Sequence, residues 1–173
     1  MKVFTVADAA AMDTLGETLA RAMEGGAVVY LRGELGAGKT TLVRGVLRGL
    51  GYVGRVRSPT YTLVEGYETP GHGFYHLDLY RIAVPEELEF LGVRELDDPA
   101  HRIFIEWPER GGEALPEADL EIRIQVREQA RSVSFQALSE RGRQLAAAWE
   151  SHTHALRRPG IRLQVGDDSN VTL

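Results

Sequence analysis

The sequence predicts an α/β fold, a three-layer α/β/α arrangement around a mixed sheet with a parallel core and antiparallel edge strands. Three observations carry this. Residues 27–32, AVVYLR, are a continuous apolar run of strand length, followed by a glycine loop and an amphipathic helical pattern. A second apolar run, RIFIEW at 102–107, is closed by Pro108. Near the C-terminus, DLEIRIQV (119–126) and RSVSFQAL (131–138) alternate with period two, which predicts an antiparallel hairpin added at an edge.

The elements follow in order. KVFTV (2–6) alternates as a short strand. Asp8 is placed to cap a helix running to about Met23, which Gly25 and Gly26 end. After the strand at 27–32, a helix is expected from Lys39 to Leu50. It carries Leu42, Val43, Val46, Leu47 and Leu50 on one side and stops at Gly51. Ser58 precedes a proline and is pushed to extended backbone, so VRSPTYTLVEGYE begins as a loop and continues as a strand through Tyr67. GFYHLDLYR (73–81) alternates in part and suits pairing with it. PEELEFLG begins with proline and acids, as helix N-termini do. A last helix is expected from 139 to about 156. One domain is expected over 1–156, with a frayed tail over 157–173.

Bulk properties narrow the class. The chain has 173 residues, enough for one domain with a core. It has no apolar run long enough to span a membrane, and its first residues lack a signal-peptide core, so a cytoplasmic protein is expected. With no cysteine, disulfides, thiol catalysis and cysteine-ligated zinc are excluded. The net charge is −5, and Lys2 and Lys39 are the only lysines, a poor balance for gripping nucleic acid unaided. Arg44, Arg48, Arg55 and Arg57 form one basic cluster, readable either as a solvated face or as a docking surface for RNA or an acidic partner.

The loop between strand and helix carries the chemistry. Gly33, Gly38, Lys39 and Thr40 in GELGAGKT fit G-x-x-x-x-G-K-[ST] without exception, in the strand–loop–helix context that the motif requires. This predicts a P-loop NTPase-like domain. Glycines permit the backbone torsions that turn successive N–H groups toward phosphate oxygens. The helix N-terminus adds its positive end. Lys39 suits the β- and γ-phosphates, and the Thr40 hydroxyl is a hard ligand for Mg²⁺.

Such a loop needs acids. Glu106 closes the strand RIFIE, where a metal-holding acid sits in P-loop proteins; the alternative is a surface strand end. Asp78 in HLDLYR is the second candidate; the alternative is pairing with Arg81. His76 alternates onto the same side as Asp78 and is assigned to packing. Ser58 and Thr60 lie where P-loop proteins place loops that sense the γ-phosphate, or serve simple turn chemistry. Trp107 either flanks the nucleotide or packs in the core. Arg131 is a candidate internal arginine finger. No N-K-x-D occurs, and the one D-x-x-G, Asp13 to Gly16, precedes the loop, so ATP is favoured over GTP. A small-molecule kinase would need a basic lid. The region holding Arg94 and Arg102 reads instead as acidic.

GELGAGKTTLVRG, SPTYTLVEGY, HLDLYRI, PEELEFLGVRE and IEWPERG occur in this order. Together they closely resemble the TsaE family, bacterial ATPases of tRNA threonylcarbamoyladenosine (t6A) biosynthesis. The likeness runs from about Asp8 to Arg131 and more loosely to about Trp149. It implies binding of ATP and Mg²⁺ and slow hydrolysis by the protein alone. It also implies action with two partners, TsaB and TsaD, through which tRNA is met; TsaD makes the transfer to adenosine. By position, the resemblance implies Mg²⁺ ligation by Thr40 and Glu106. The phosphate cradle would be Leu35, Gly36, Ala37, Gly38, Lys39 and Thr40, flanked by Gly33 and Thr41. Asp78 would orient or deprotonate water, with Lys39 and Glu106 completing the catalytic set. Ala9, Trp107 and Arg131 would lie close to the nucleotide. Two alternatives remain: an ATP switch that holds a complex together without hydrolysis, and the kinase.

Overall fold

The computed structural model describes residues 2–165. One sheet of eight strands runs through them in the order β3-β4-β5-β2-β6-β7-β1-β8. The strands are β1 (Lys2–Val6), β2 (Ala27–Arg32), β3 (Val64–Thr69), β4 (His72–Asp78), β5 (Arg102–Glu106), β6 (Leu120–Arg127), β7 (Ala130–Ala137) and β8 (Ile161–Val165). The four helices are α1 (Ala9–Ala22), α2 (Lys39–Gly49), α3 (Glu87–Phe90) and α4 (Glu140–Leu156). β4, β5, β2 and β6 are mutually parallel, and antiparallel pairs extend this core on both sides.

The parallel core explains the apolar runs, because its strands are covered on both faces. Val29, Leu31, Phe74 and Phe104 pack under α1, α2 and α4. Their neighbours Val28, Leu77, Ile103 and Ile105 face a thinner second layer. That layer is made by α3 and short 3₁₀ turns, including Val93–Leu96, which bury Leu88 and Val93. The helix read from PEELEFLG is therefore a single turn.

α1 starts where expected: Asp8 Oδ1 accepts the Ala11 N–H at 2.8 Å. α4 is capped by Ser139, whose hydroxyl accepts from Gly142 N. It is anchored by Trp149, fully buried against Phe4 and Phe135, with its indole N–H directed at Thr18 and the Leu15 carbonyl.

Two expectations are corrected. The β6–β7 hairpin forms as read but lies inside the sheet, because β1 pairs antiparallel with β7. The frayed tail expected from Arg157 contains a strand: β8 pairs with β1 from Ile161 to Val165, and Ile161 and Leu163 pack on the main core. Both corrections have one cause. The first strand of the chain comes back to the last ones, a pairing across more than a hundred residues that local pattern does not encode. Residues 166–173 of the expected tail lie outside the described residues. No helix among the described residues is long and apolar enough to cross a membrane.

Candidate functional site

The site lies at the carboxyl ends of β2, β5 and β4. β2 runs into the glycine loop, and α2 starts at Lys39, the residue after Gly38. Gly38 caps that helix in a left-handed conformation (φ 113°) that a side chain would resist, and it contributes no side chain over the first helical N–H groups. Those donors are thus left open at the helix's positive end.

The acids arrive through strand register. β4 and β5 pair in parallel with Asp78 opposite Glu106, and β5 pairs with β2 so that Glu106 stands opposite Leu31. Both carboxylates point to the α2 side, because Phe74, His76 and Asp78 alternate with residues of the opposite core, as do Phe104 and Glu106. Lys39, Asp78 and Glu106 are 5%, 4% and 3% exposed. Charges this deep are held only with partners.

Glu106 has several such partners. Its Oε1 accepts from His76 Nε2 at 2.8 Å and lies 3.5 Å from the Thr40 hydroxyl. Its Oε2 is 3.9 Å from Lys39 Nζ. Lys39 Nζ also donates to the carbonyls of Gly33 and Glu34 and lies 4.6 Å over the Trp107 ring. Burial lowers the Lys39 pKa from the usual lysine range, while Glu106 and Asp78 pull it back up. Asp78 shows the mirror effect. Burial raises its pKa, the Tyr80 N–H bonded to Oδ1 at 3.0 Å opposes this, and the neighbouring Glu106 charge raises it further.

The loop after α2 reaches the same place. Thr60 Oγ1 donates to Asp78 Oδ2 at 3.4 Å and shares a hydrogen bond with Ser58 at 2.7 Å. Leu63 ends the loop with φ 65°, and its carbonyl accepts the Asp78 N–H. Trp107 leaves β5 with φ 56° and packs its indole on Tyr80 at 5.0 Å. This left-handed turn directly after Glu106 lays the ring beside Lys39 instead of continuing the strand.

A second group gathers across β2. Ala9, Gly36, Ala37, Gly38, Thr41 and Arg131 line one recess of about 160 Å³, with Asp8 and Met12. Arg131 Nε donates to the Ala37 carbonyl at 3.1 Å. Because β6 and β7 lie on the other side of β2 from β5 and β4, Arg131 sits on the flank of the loop away from Asp78 and Glu106. Leu35, at the loop tip, is exposed.

The structure decides between several readings. Glu106 is buried, not a surface strand end. Asp78 is bonded to Tyr80 and Thr60, whereas Arg81 lies 4.2 Å over the Tyr61 ring. His76 is fully buried but not merely packed, since it is bonded to Glu106. Its alternation with Asp78 was visible in sequence; its partner, thirty residues on, required the β4–β5 register. In the basic cluster, Arg44 and Arg48 are tied to Asp13 of α1, while Arg55 and Arg57 are exposed.

Comparison with known proteins bears on the family and the fold. The family model described as threonylcarbamoyl adenosine biosynthesis protein TsaE matches residues 6–133. Three relatives bear the name tRNA threonylcarbamoyladenosine biosynthesis protein TsaE. That of Haemophilus influenzae is 48% identical over 124 residues, covering 72% of this chain and 78% of its own. That of Streptomyces coelicolor is 39% identical, covering 75% and 93%, and that of Bacillus subtilis is 35% identical, covering 73% and 80%. The crystal structure of YdiB from Bacillus subtilis superposes with a TM-score of 0.72 at 25% identity, covering 88% of this chain and 97% of that one.

Proposed function

Because the chain belongs to the TsaE family of tRNA threonylcarbamoyladenosine biosynthesis proteins, we propose that it binds ATP with Mg²⁺ and hydrolyses it slowly, as the ATPase of t6A modification beside TsaB- and TsaD-like partners. The observation that supports this best is the convergence of Lys39 and Thr40 with Glu106 and Asp78 at the ends of three adjacent parallel strands.

The residues fit the proposed ligands. The Thr40 hydroxyl and Glu106 carboxylate are hard oxygens 3.5 Å apart, a donor pair that would hold Mg²⁺. When bound, Mg²⁺ would supply neutralisation of the phosphate charge. Open N–H groups at the start of α2 cradle phosphate oxygens. Lys39, held over the loop by the Gly33 and Glu34 carbonyls, adds a positive charge from a buried position, where it acts more strongly than in water. Asp78 orients the attacking water and takes its proton as the water oxygen bonds to the γ-phosphorus and the bond from that phosphorus to the β–γ bridging oxygen breaks, ADP leaving with the electron pair. Burial suits it to this, because a raised pKa makes a carboxylate more basic. Thr60 holds Asp78 Oδ2 and so links the 58–63 loop to the base. The recess at Ala9 and Arg131 takes the base and ribose.

Slow turnover in isolation follows if a partner completes the site, since groups supplied in trans raise phosphoryl-transfer rates by about 10³ to 10⁵. The test is ATP hydrolysis by the purified protein, alone and with the TsaB–TsaD pair. Turnover is expected to rise with the pair. Lys39→Ala is expected to lose about 10²- to 10³-fold. Glu106→Gln is expected to keep ATP binding and lose multiple-turnover modification. Full modification by Glu106→Gln would reduce the role of ATP to that of a passive switch, and rates indifferent to the partners would remove the t6A assignment of the hydrolysis.

A further inference from the structure

His76 does something for which an apolar ring would not serve. It follows Phe74 on the inward face of β4, so this layer accepts an aromatic hydrocarbon one step earlier. His76 is 0% exposed, and its Nδ1 finds no hydrogen-bond partner among the described residues. Burying such an atom costs stability. The one polar contact of the ring among the described residues is Nε2 to Glu106 Oε1, at 2.8 Å.

We infer that His76 is a positioning residue for Glu106: its Nε2–H pins one carboxylate oxygen from a rigid, wholly enclosed ring, and so presents the carboxylate to Mg²⁺ beside the Thr40 hydroxyl. This rests on the reading of the site as one for nucleotide and Mg²⁺. The backbone sets the geometry. β4 and β5 run parallel with His76 opposite Phe104 and Asp78 opposite Glu106, so the imidazole stands one inward step behind the two acids. A glutamate side chain has several rotatable bonds, and at the end of its strand Glu106 would otherwise sample other rotamers, toward Lys39 for instance, which is 3.9 Å from Oε2. Partners that orient a metal's ligands from behind in this way commonly govern affinity for the metal by 10- to 100-fold.

Two amide variants separate positioning from packing. In His76→Gln the side-chain nitrogen reaches about as far as Nε2; in His76→Asn it falls a methylene short. Fluorescent mant-ADP is bound first in EDTA and then with rising Mg²⁺. All three proteins are expected to bind it alike in EDTA. The Gln variant should keep the unaltered Mg²⁺ dependence, and the Asn variant should need about 10- to 100-fold more Mg²⁺. Equal Mg²⁺ dependence in all three proteins overturns the inference. So does an Asn variant that loses EDTA binding and melting temperature together, because that is packing. In the unaltered protein, the imidazole ¹⁵N resonance of His76, assigned by its absence from the Gln variant, should shift when Mg²⁺ follows ADP. No shift overturns the inference even if the Asn variant does not fold. If the unaltered protein does not bind mant-ADP at all, the nucleotide reading fails, and the inference falls with it.

Discussion

Asp78 shows how a single residue carries opposite demands. Its burial raises the pKa above the ordinary 3.8, so the folded state binds the proton more tightly than the unfolded chain does. Stability from this group is therefore full below 3.8 and falls as pH rises through the folded value, the reverse of a salt-bridged aspartate. Asp78→Asn is expected to melt higher than the parent at pH 7, with the difference shrinking as pH falls toward 3.8. The same variant is expected to lose hydrolysis by about 10²- to 10⁴-fold, the usual contribution of a positioned base. Thermal melts across pH and steady-state hydrolysis check the two halves. A variant less stable at neutral pH would mean that its bonds to Tyr80 and Thr60 outweigh the cost of the buried charge.

At the scale of elements, α1 crosses α2, the helix that follows the glycine loop. The helices meet through glycines. A methyl added at Gly45 would collide with the Asp13 carbonyl, and one at Gly16 with the backbone of Leu42 and Val46. Asp13 then bridges Arg44 and Arg48 across the same seam. Overpacking against backbone is not relieved by rotamer change, so Gly45→Ala is expected to cost about 3 kcal/mol or more despite alanine's better helix propensity. Chemical denaturation measures this. An unchanged midpoint would show that the two helices separate without cost.

For the whole molecule, the edge strand β8 has a protective role. It covers β1, which would otherwise offer a row of free backbone N–H and C=O groups to other chains. Truncation after Pro159 removes this strand and uncovers the core under Ile161 and Leu163. A melting temperature lower by on the order of 5 °C and concentration-dependent self-association are expected. Calorimetry and sedimentation velocity test them, and a monomer of unchanged stability would assign β8 no structural part. At the other edge, β3 carries Glu65 and Glu68, charges that discourage pairing there.

Much of this was legible in the residues alone. The strand–loop–helix unit and its motif follow from local chemistry: an apolar run, glycines where the backbone turns, lysine and threonine at fixed offsets, and a helix stripe of period 3.6. Glu106 was legible as a strand-end acid, because parallel strands deliver ligands at their carboxyl edge; Asp78 was legible as a candidate acid within the segment 73–81, and the structure ends β4 at it. What local pattern does not carry is register and return. The bond from His76 to Glu106 exists because β4 and β5 align in one register, and a shift of β4 by one residue against β5 would turn His76 to the opposite face, away from Glu106. Arg131 joins Ala9 across the loop from the acids because the hairpin comes back beside β1. β8 is a strand because β1 lies there to pair with it, so a short segment with little signal of its own is ordered by a partner at the far end of the chain. Spacing along the chain thus determined which groups are present and their local geometry. Sheet pairing between distant segments, driven by burial of one shared core, decided which of them meet.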